Sequence, residues 1–182
     1  TDRRRDMSHL LPRRSRIAEW AATVIVAMLA IEMVVIVAQV IRGQTSHYND
    51  TTPLNSALWS AMGMAITVLF AAHLVIAVAA ARQRIADRAA RYAVRIGLGL
   101  SLLGMLAAVP MVLPGRAPAG APGISGAHTV GLPDGGPGLP LVGWSTAGGD
   151  LRIGHFVGMH ALQALPLLAL LLGRRFDALT RR

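Results

Sequence analysis

Four long apolar blocks, more than any other feature, limit what this chain can fold into. They run over residues 17–41, 57–81, 93–113 and 153–173, the first reading IAEWAATVIVAMLAIEMVVIVAQVI. At ~1.5 Å of helical rise per residue, each is long enough to cross the roughly 30 Å hydrocarbon core of a bilayer. Backbone inside lipid finds no water to bond, so it must be helical or belong to a closed barrel. Continuous apolar blocks of this length point to helices. The sequence therefore predicts an all-α membrane protein: a four-transmembrane-helix bundle forming one domain over residues 1–182.

The charges predict how the bundle is threaded. All eighteen basic residues are arginine. Arg3, Arg4, Arg5, Arg13, Arg14 and Arg16 precede the first block; Arg82, Arg84, Arg88, Arg91 and Arg95 lie between the second and third; Arg174, Arg175, Arg181 and Arg182 follow the last. Arg42, Arg116 and Arg152 alone fall on the other side. Such a bias marks the cytoplasmic loops, so both termini are expected in the cytoplasm, with residues 114–152 forming a long extracytoplasmic loop. The net charge of +9 is thereby read as topology and not as a nucleic-acid footprint. Arginine without lysine, among many Ala and Gly, suggests a bacterial protein of the cytoplasmic (inner) membrane. The basic N-terminus followed by a 25-residue apolar block reads as a retained anchor, not a cleaved signal.

The connections differ in character. RQRIADRAARY (82–92) is short and predicts an antiparallel hairpin of the second and third helices, whereas residues 114–152 hold most of the Gly and Pro. A loop of that length is functional or disordered, and the apolar run Leu139 to Trp144 favours a lid folded over the bundle mouth. Gly97, Gly99, Gly104, Gly154 and Gly158 are expected to let helices approach closely. Pro166 is expected to kink the fourth helix.

Polar groups inside a bilayer are expensive, and each needs a reason. Glu32 lies nine residues below the predicted outer end of the first helix, roughly 13 Å, and His160 seven below that of the fourth, roughly 10 Å. The pair therefore shares a level. Gln39 is two turns from Glu32 on the same face; His155, Met159 and Gln163 stack at i, i+4, i+8. The outer loops add Ser46, His47, Asn49, Asp50, His128, Asp134 and Asp150.

Imidazoles with carboxylates suit zinc, iron, manganese or copper, and the absence of cysteine excludes thiolate ligation and disulfides. The expected site is a His/carboxylate centre at the extracytoplasmic face that binds a metal ion (zinc, iron or copper) or haem. Its ligands would be His155, His160, Glu32, His47 and His128. Gln163, Gln39, Asp134, Asp150 and Arg152 would stand behind them as orienting groups. His155 and His160 are about 140° apart on a helix, so a shared metal requires the fourth helix to begin after His155. On this reading His160→Ala abolishes cofactor retention. Met33, Met62, Met64, Met111 and Met159 would add Cu(I) ligands. His73, level with Ser101, lies too deep to join and is expected to pack across the hairpin. Ser46 and His47, being adjacent in a loop, are not expected to face one another.

Two further readings use the same residues. A membrane-embedded hydrolase or transferase would use a metal-bound water, or His160 as base, against a lipid-linked substrate. A small non-catalytic accessory subunit would use the polar groups for contacts with other membrane subunits, or with a second copy in a homodimer. The residues leave open whether the protein is an enzyme. HTVGLPDGGPGLP, GWSTAGGDLR and HFVGMHALQ resemble segments of uncharacterised bacterial four-helix membrane proteins. That resemblance covers the last third of the chain and implies the four-helix fold, with no particular activity.

Overall fold

The computed structural model describes residues 15–85, 87–113 and 122–180, with side chains as far as Gly173. The protein is mainly four helices: α1 (Arg16–Ile41), α2 (Pro53–Arg82), α3 (Arg88–Leu106) and α4 (Leu151–Thr180). All four are long and apolar enough to span a membrane, α3 when counted with the turn that extends it to Met111.

The helix ends lie where capping chemistry puts them, several residues from where hydropathy alone does. α2 starts at Pro53 and not at 57, because the Thr52 hydroxyl accepts the Asn55 N–H at 3.2 Å and proline suits the first helical position. α3 starts at Arg88 and not at 93, where the Asp87 carboxylate accepts the Ala90 N–H at 2.6 Å. It stops at Leu106, short of the predicted 113, and a 3-10 turn over Val109–Met111 follows around Pro110, a residue with no N–H to continue the α-helical ladder. α4 begins at Leu151, ahead of His155, and runs on through Pro166.

The helices pack as two pairs. α3 lies along α4 and α1 along α2, α2 meets α3 less extensively, and α1 scarcely touches α4. The antiparallel hairpin expected of α2 and α3 is thus the lighter of the bundle's packed seams. Glycine sets the α3–α4 approach: a Cβ on Gly104 would lie 2.6 Å from the Met159 nitrogen, and one on Gly158 2.8 Å from the Leu100 carbonyl oxygen. Gly97 packs against Ala161 and Leu162, whereas Gly99 has nothing within 4 Å and Gly154 reaches only the Ala107 side chain at 4.0 Å.

One end of the bundle carries an ordered cap. In its described part, the α3–α4 connection pairs β1 (Thr129–Val130) antiparallel with β2 (Gly149–Asp150), Thr129 opposite Asp150. The segment before β1 is bonded to the α1–α2 connection. The Asp50 N–H donates to the Gly123 carbonyl at 2.6 Å and the Ser125 N–H to that of Tyr48 at 2.9 Å. The Ala127 N–H, in turn, donates to the Met111 carbonyl at 3.1 Å.

Candidate functional site

Beneath this cap is a cavity of about 700 Å³. Glu32 enters from α1, Trp59, Met62 and Ile66 from α2, Met105 from α3, and Arg152 and His155 from α4. His47, Tyr48, Met111 and His128 line it from the connections. Thus Glu32, His47, His128 and His155, four residues far apart in the sequence, face one space. Most of the remaining wall is apolar.

Each cavity histidine is held by one ring nitrogen. His155 Nδ1 lies 2.8 Å from the Gly104 carbonyl oxygen of α3. A carbonyl can only accept, so Nδ1 carries the hydrogen, and in the neutral ring Nε2 keeps its lone pair. His128 Nδ1 lies 2.9 Å from the Asp134 carboxylate, which also accepts the His128 and Thr129 N–H groups and the Thr129 hydroxyl. Burial alone would raise the Asp134 carboxyl; those hydrogen bonds, with His128 alongside, outweigh it and bring the pKa down to about 2. Asp134 therefore does for His128 what the Gly104 carbonyl does for His155, fixing the tautomer and the ring.

His47 Nδ1 and the Ser46 hydroxyl are 2.9 Å apart, contrary to the expectation that these neighbours would look away from one another. The next residue, Tyr48, is in the left-handed region at φ +56, which turns the chain sharply there. Burial, and then the proximity of His128, lowers the pKa of His47, so the ring is neutral at pH 7. Tyr48 is buried, stacks edge-on with Trp59 and with His128 at centroid distances of 5.1 Å each, and has its phenol pushed up to about 12, first by burial and then by Asp134.

His160 does not join the cavity. Because α4 is already helical at Leu151, five residues carry His160 about 140° round from His155. It is exposed, its ring stacked on Phe156 at 4.0 Å and its Nδ1 2.9 Å from the Phe156 carbonyl. Gln163 is exposed as well, its amide nitrogen turned back to the Met159 and His160 carbonyls at 3.1 Å each. Neither can orient a cavity ligand from there.

Gln39 belongs to a different structure, a polar knot that ties α1 to α2. Fully buried, it donates to the Asn55 side-chain oxygen at 3.2 Å and the Thr45 carbonyl at 3.3 Å, and it accepts from Arg42. Arg42 also donates to Asn55, and Asn55 to the Thr51 hydroxyl. Asn49 and Asn55 are both about 1% exposed; Asn49 is among the outer-loop polar groups expected from the sequence, but sequence reasoning missed Asn55, because asparagine ahead of a predicted span reads as a turn former. Asp150 accepts both the guanidinium and the backbone N–H of Arg152, as well as the Ser145 N–H, and Arg152 donates onward to the Gly143 carbonyl at 2.7 Å. The Arg152 guanidinium, above all, brings the Asp150 carboxyl down to about 2. This pair opens α4 with a cap and ties the loop to it.

Among the described residues no three His, Asp or Glu side chains converge tightly enough to enclose a metal ion. Of the methionines expected to gather, Met62 and Met111 line the cavity and Met105 joins them, whereas Met33 and Met64 are exposed. His73 is buried between α2 and α3, where its backbone partner is Leu98 and not the level Ser101, and among the described residues its Nε2 has no partner. Comparison with protein-family models, curated proteins and solved structures finds no match to this chain.

Proposed function

We propose that this protein is an integral membrane haem-binding protein, with haem in the cavity beneath the cap and His155 Nε2 as a ligand to its iron. The observation that carries the reading is the clamp on His155: Nδ1 bonded to the Gly104 carbonyl leaves Nε2 as the lone-pair donor a metal needs, on a ring that cannot turn away. His128, clamped the same way by Asp134, is the candidate second ligand, with the thioethers of Met62, Met105 and Met111 also in the wall.

The choice of haem over a bare ion follows from ligand count. Zinc and copper sites use three or four protein donors, and none of the described residues cluster that way. Haem iron needs one or two axial side chains, and the macrocycle needs apolar surface. A mostly apolar cavity of about 700 Å³ is in the range of small-molecule and cofactor pockets. The arginine distribution supports an orientation with both termini in the cytoplasm of a bacterium, which places the cavity at the extracytoplasmic end of the inner membrane. A haem there would carry electrons at that face.

The test is the absorption spectrum and iron content of the detergent-purified protein, with haemin titrated into whatever fraction lacks it. We expect one haem per chain with a Soret band, lost in His155→Ala and kept in His160→Ala. A protein that neither contains haem nor shifts the haemin spectrum on titration overturns the proposal. Loss in His160→Ala with retention in His155→Ala would assign the ligand to the other face of α4.

A further inference from the structure

Residues 138–145 form a tight hairpin that does not line the cavity. Gly138 and Ser145 are bridged at its base. The Leu139 N–H donates to the Trp144 carbonyl at 2.7 Å and the Gly143 N–H to that of Leu139 at 2.9 Å. At the tip the Val142 N–H donates to the Pro140 carbonyl at 2.9 Å, closing a three-residue turn around Leu141. Leu141 sits there at φ +71 and 107% exposure, and no other described large apolar residue is as open. A left-handed backbone suits glycine and not leucine, and strain of this kind is concentrated at functional positions.

The depth of the hairpin is set by α4. Its Trp144 ring packs edge-on against Phe156 at 5.4 Å. Phe156 lies about 7 Å along α4 from Leu151, and about 160° round the helix from Gly158, which faces α3. The hairpin therefore lies alongside the first turns of a helix long and apolar enough to span a membrane. Arg152 holds it there through the Gly143 carbonyl at 2.7 Å, and no charged residue follows Arg152 until Arg174. Trp144 is thus at the boundary where a bilayer core would begin, the level at which tryptophan collects. Three residues of chain reach at most about 11 Å, which keeps Leu141 close to that boundary.

We infer that this hairpin is an interfacial anchor, with Leu139, Leu141 and Val142 at its tip inserted in the lipid leaflet beside the start of α4. The inference rests on the membrane placement of α4 and not on haem. Its chemistry suits lipid. No charged residue lies between Asp134 and Asp150. The N–H groups of Leu139, Val142 and Gly143 are bonded within the hairpin, and Pro137 and Pro140 have none to satisfy; backbone that enters lipid must be satisfied internally in this way. A protein docking from solvent would meet the cap from above, whereas Trp144 lies along the flank of the helix.

The chain has no cysteine, so nitroxide labels can be placed singly in the full chain in liposomes. A label at Leu141→Cys should collide more with dissolved oxygen, which concentrates in lipid, than with a water-soluble nickel chelate. One at Val157→Cys, an exposed position of α4, should do the same. One at Gly136→Cys, a cap position with open space around it, should show the reverse. Adding Leu139→Asp to the Leu141→Cys chain should draw the label toward water, because an acidic side chain resists entry into lipid. All of these positions are exposed, so the substitutions leave no void in the fold. Water access at 141 with lipid access at 157 overturns the anchor alone. A label at 141 sheltered from both probes means that protein covers the tip, and overturns it equally. Water access at 157 would fail the spanning of α4, and the anchor with it.

Discussion

The side of α4 that faces α3 and the side that faces away carry similar residues under opposite conditions. On the first, Gly158 lies so close to Gly104 that neither has room for a methyl group, and His155 is clamped by the Gly104 carbonyl at 2.8 Å. On the second, among the described residues, His160 is held by its own helix, through the Phe156 ring and carbonyl. One histidine is positioned by a neighbouring helix and the other by its own. The contrast shows that residue type and depth do not assign a role in a membrane helix; the angle about the axis does.

The strongest way to break this comparison is steric. Gly158→Leu should force α3 and α4 apart, because the groups it would strike are backbone atoms that cannot rotate away. Overpacking of this kind costs at least about 1–3 kcal/mol and should lower the thermal midpoint in detergent markedly. Ala164→Leu, on the outward side, should leave that midpoint nearly unchanged. Equal effects would mean that α4 packs otherwise than described here.

A smaller effect is expected at the start of the helix. Asp150→Ala removes the cap on the Arg152 N–H and releases the Arg152 side chain, a loss of about 0.5–2 kcal/mol by analogy with other helix caps. Hydrogen exchange should rise at residues 143–152 and stay constant at 160–170.

The smallest effect at neutral pH, and the most specific, is acid loosening of the cap. Asp134 and Asp150 titrate near 2 in the folded protein against a usual 3.8. Their carboxylates therefore stabilise the fold fully above pH 3.8 and lose that contribution as the pH falls toward 2. Fluorescence of Trp144, which packs edge-on against Phe156 at 5.4 Å, should change in that window. A transition confined to the region above pH 5 would exclude these two carboxylates as its cause.

Much of the architecture is legible in the order of residues. The four helices long enough to span a membrane follow from block length, since continuous apolar blocks of that length point to helices and not to the strands of a barrel. Glu32, His47, His128 and His155 stand out as polar groups at one end, and they do share a cavity. The sequence reading erred where local geometry decided the matter. It grouped His160 with His155 because both lie at similar depth, and it separated Ser46 from His47 because they are adjacent in a loop, whereas the hydroxyl and the ring nitrogen are 2.9 Å apart. It set Gln39 behind a metal ligand, when Asn55, Arg42 and Thr45 claim the described bonds of its side chain.

By itself, then, the sequence determines which segments are long and apolar enough to cross a membrane, because hydrophobic length is a one-dimensional property. Only the tertiary structure decides which imidazoles face the cavity, which glycines are contacts and that α1 stands apart from α4. Those depend on how each helix is rotated against its neighbour. Rotation in lipid is set by close packing and a few hydrogen bonds, not by hydrophobic burial, and such local terms leave little trace in the hydropathy pattern.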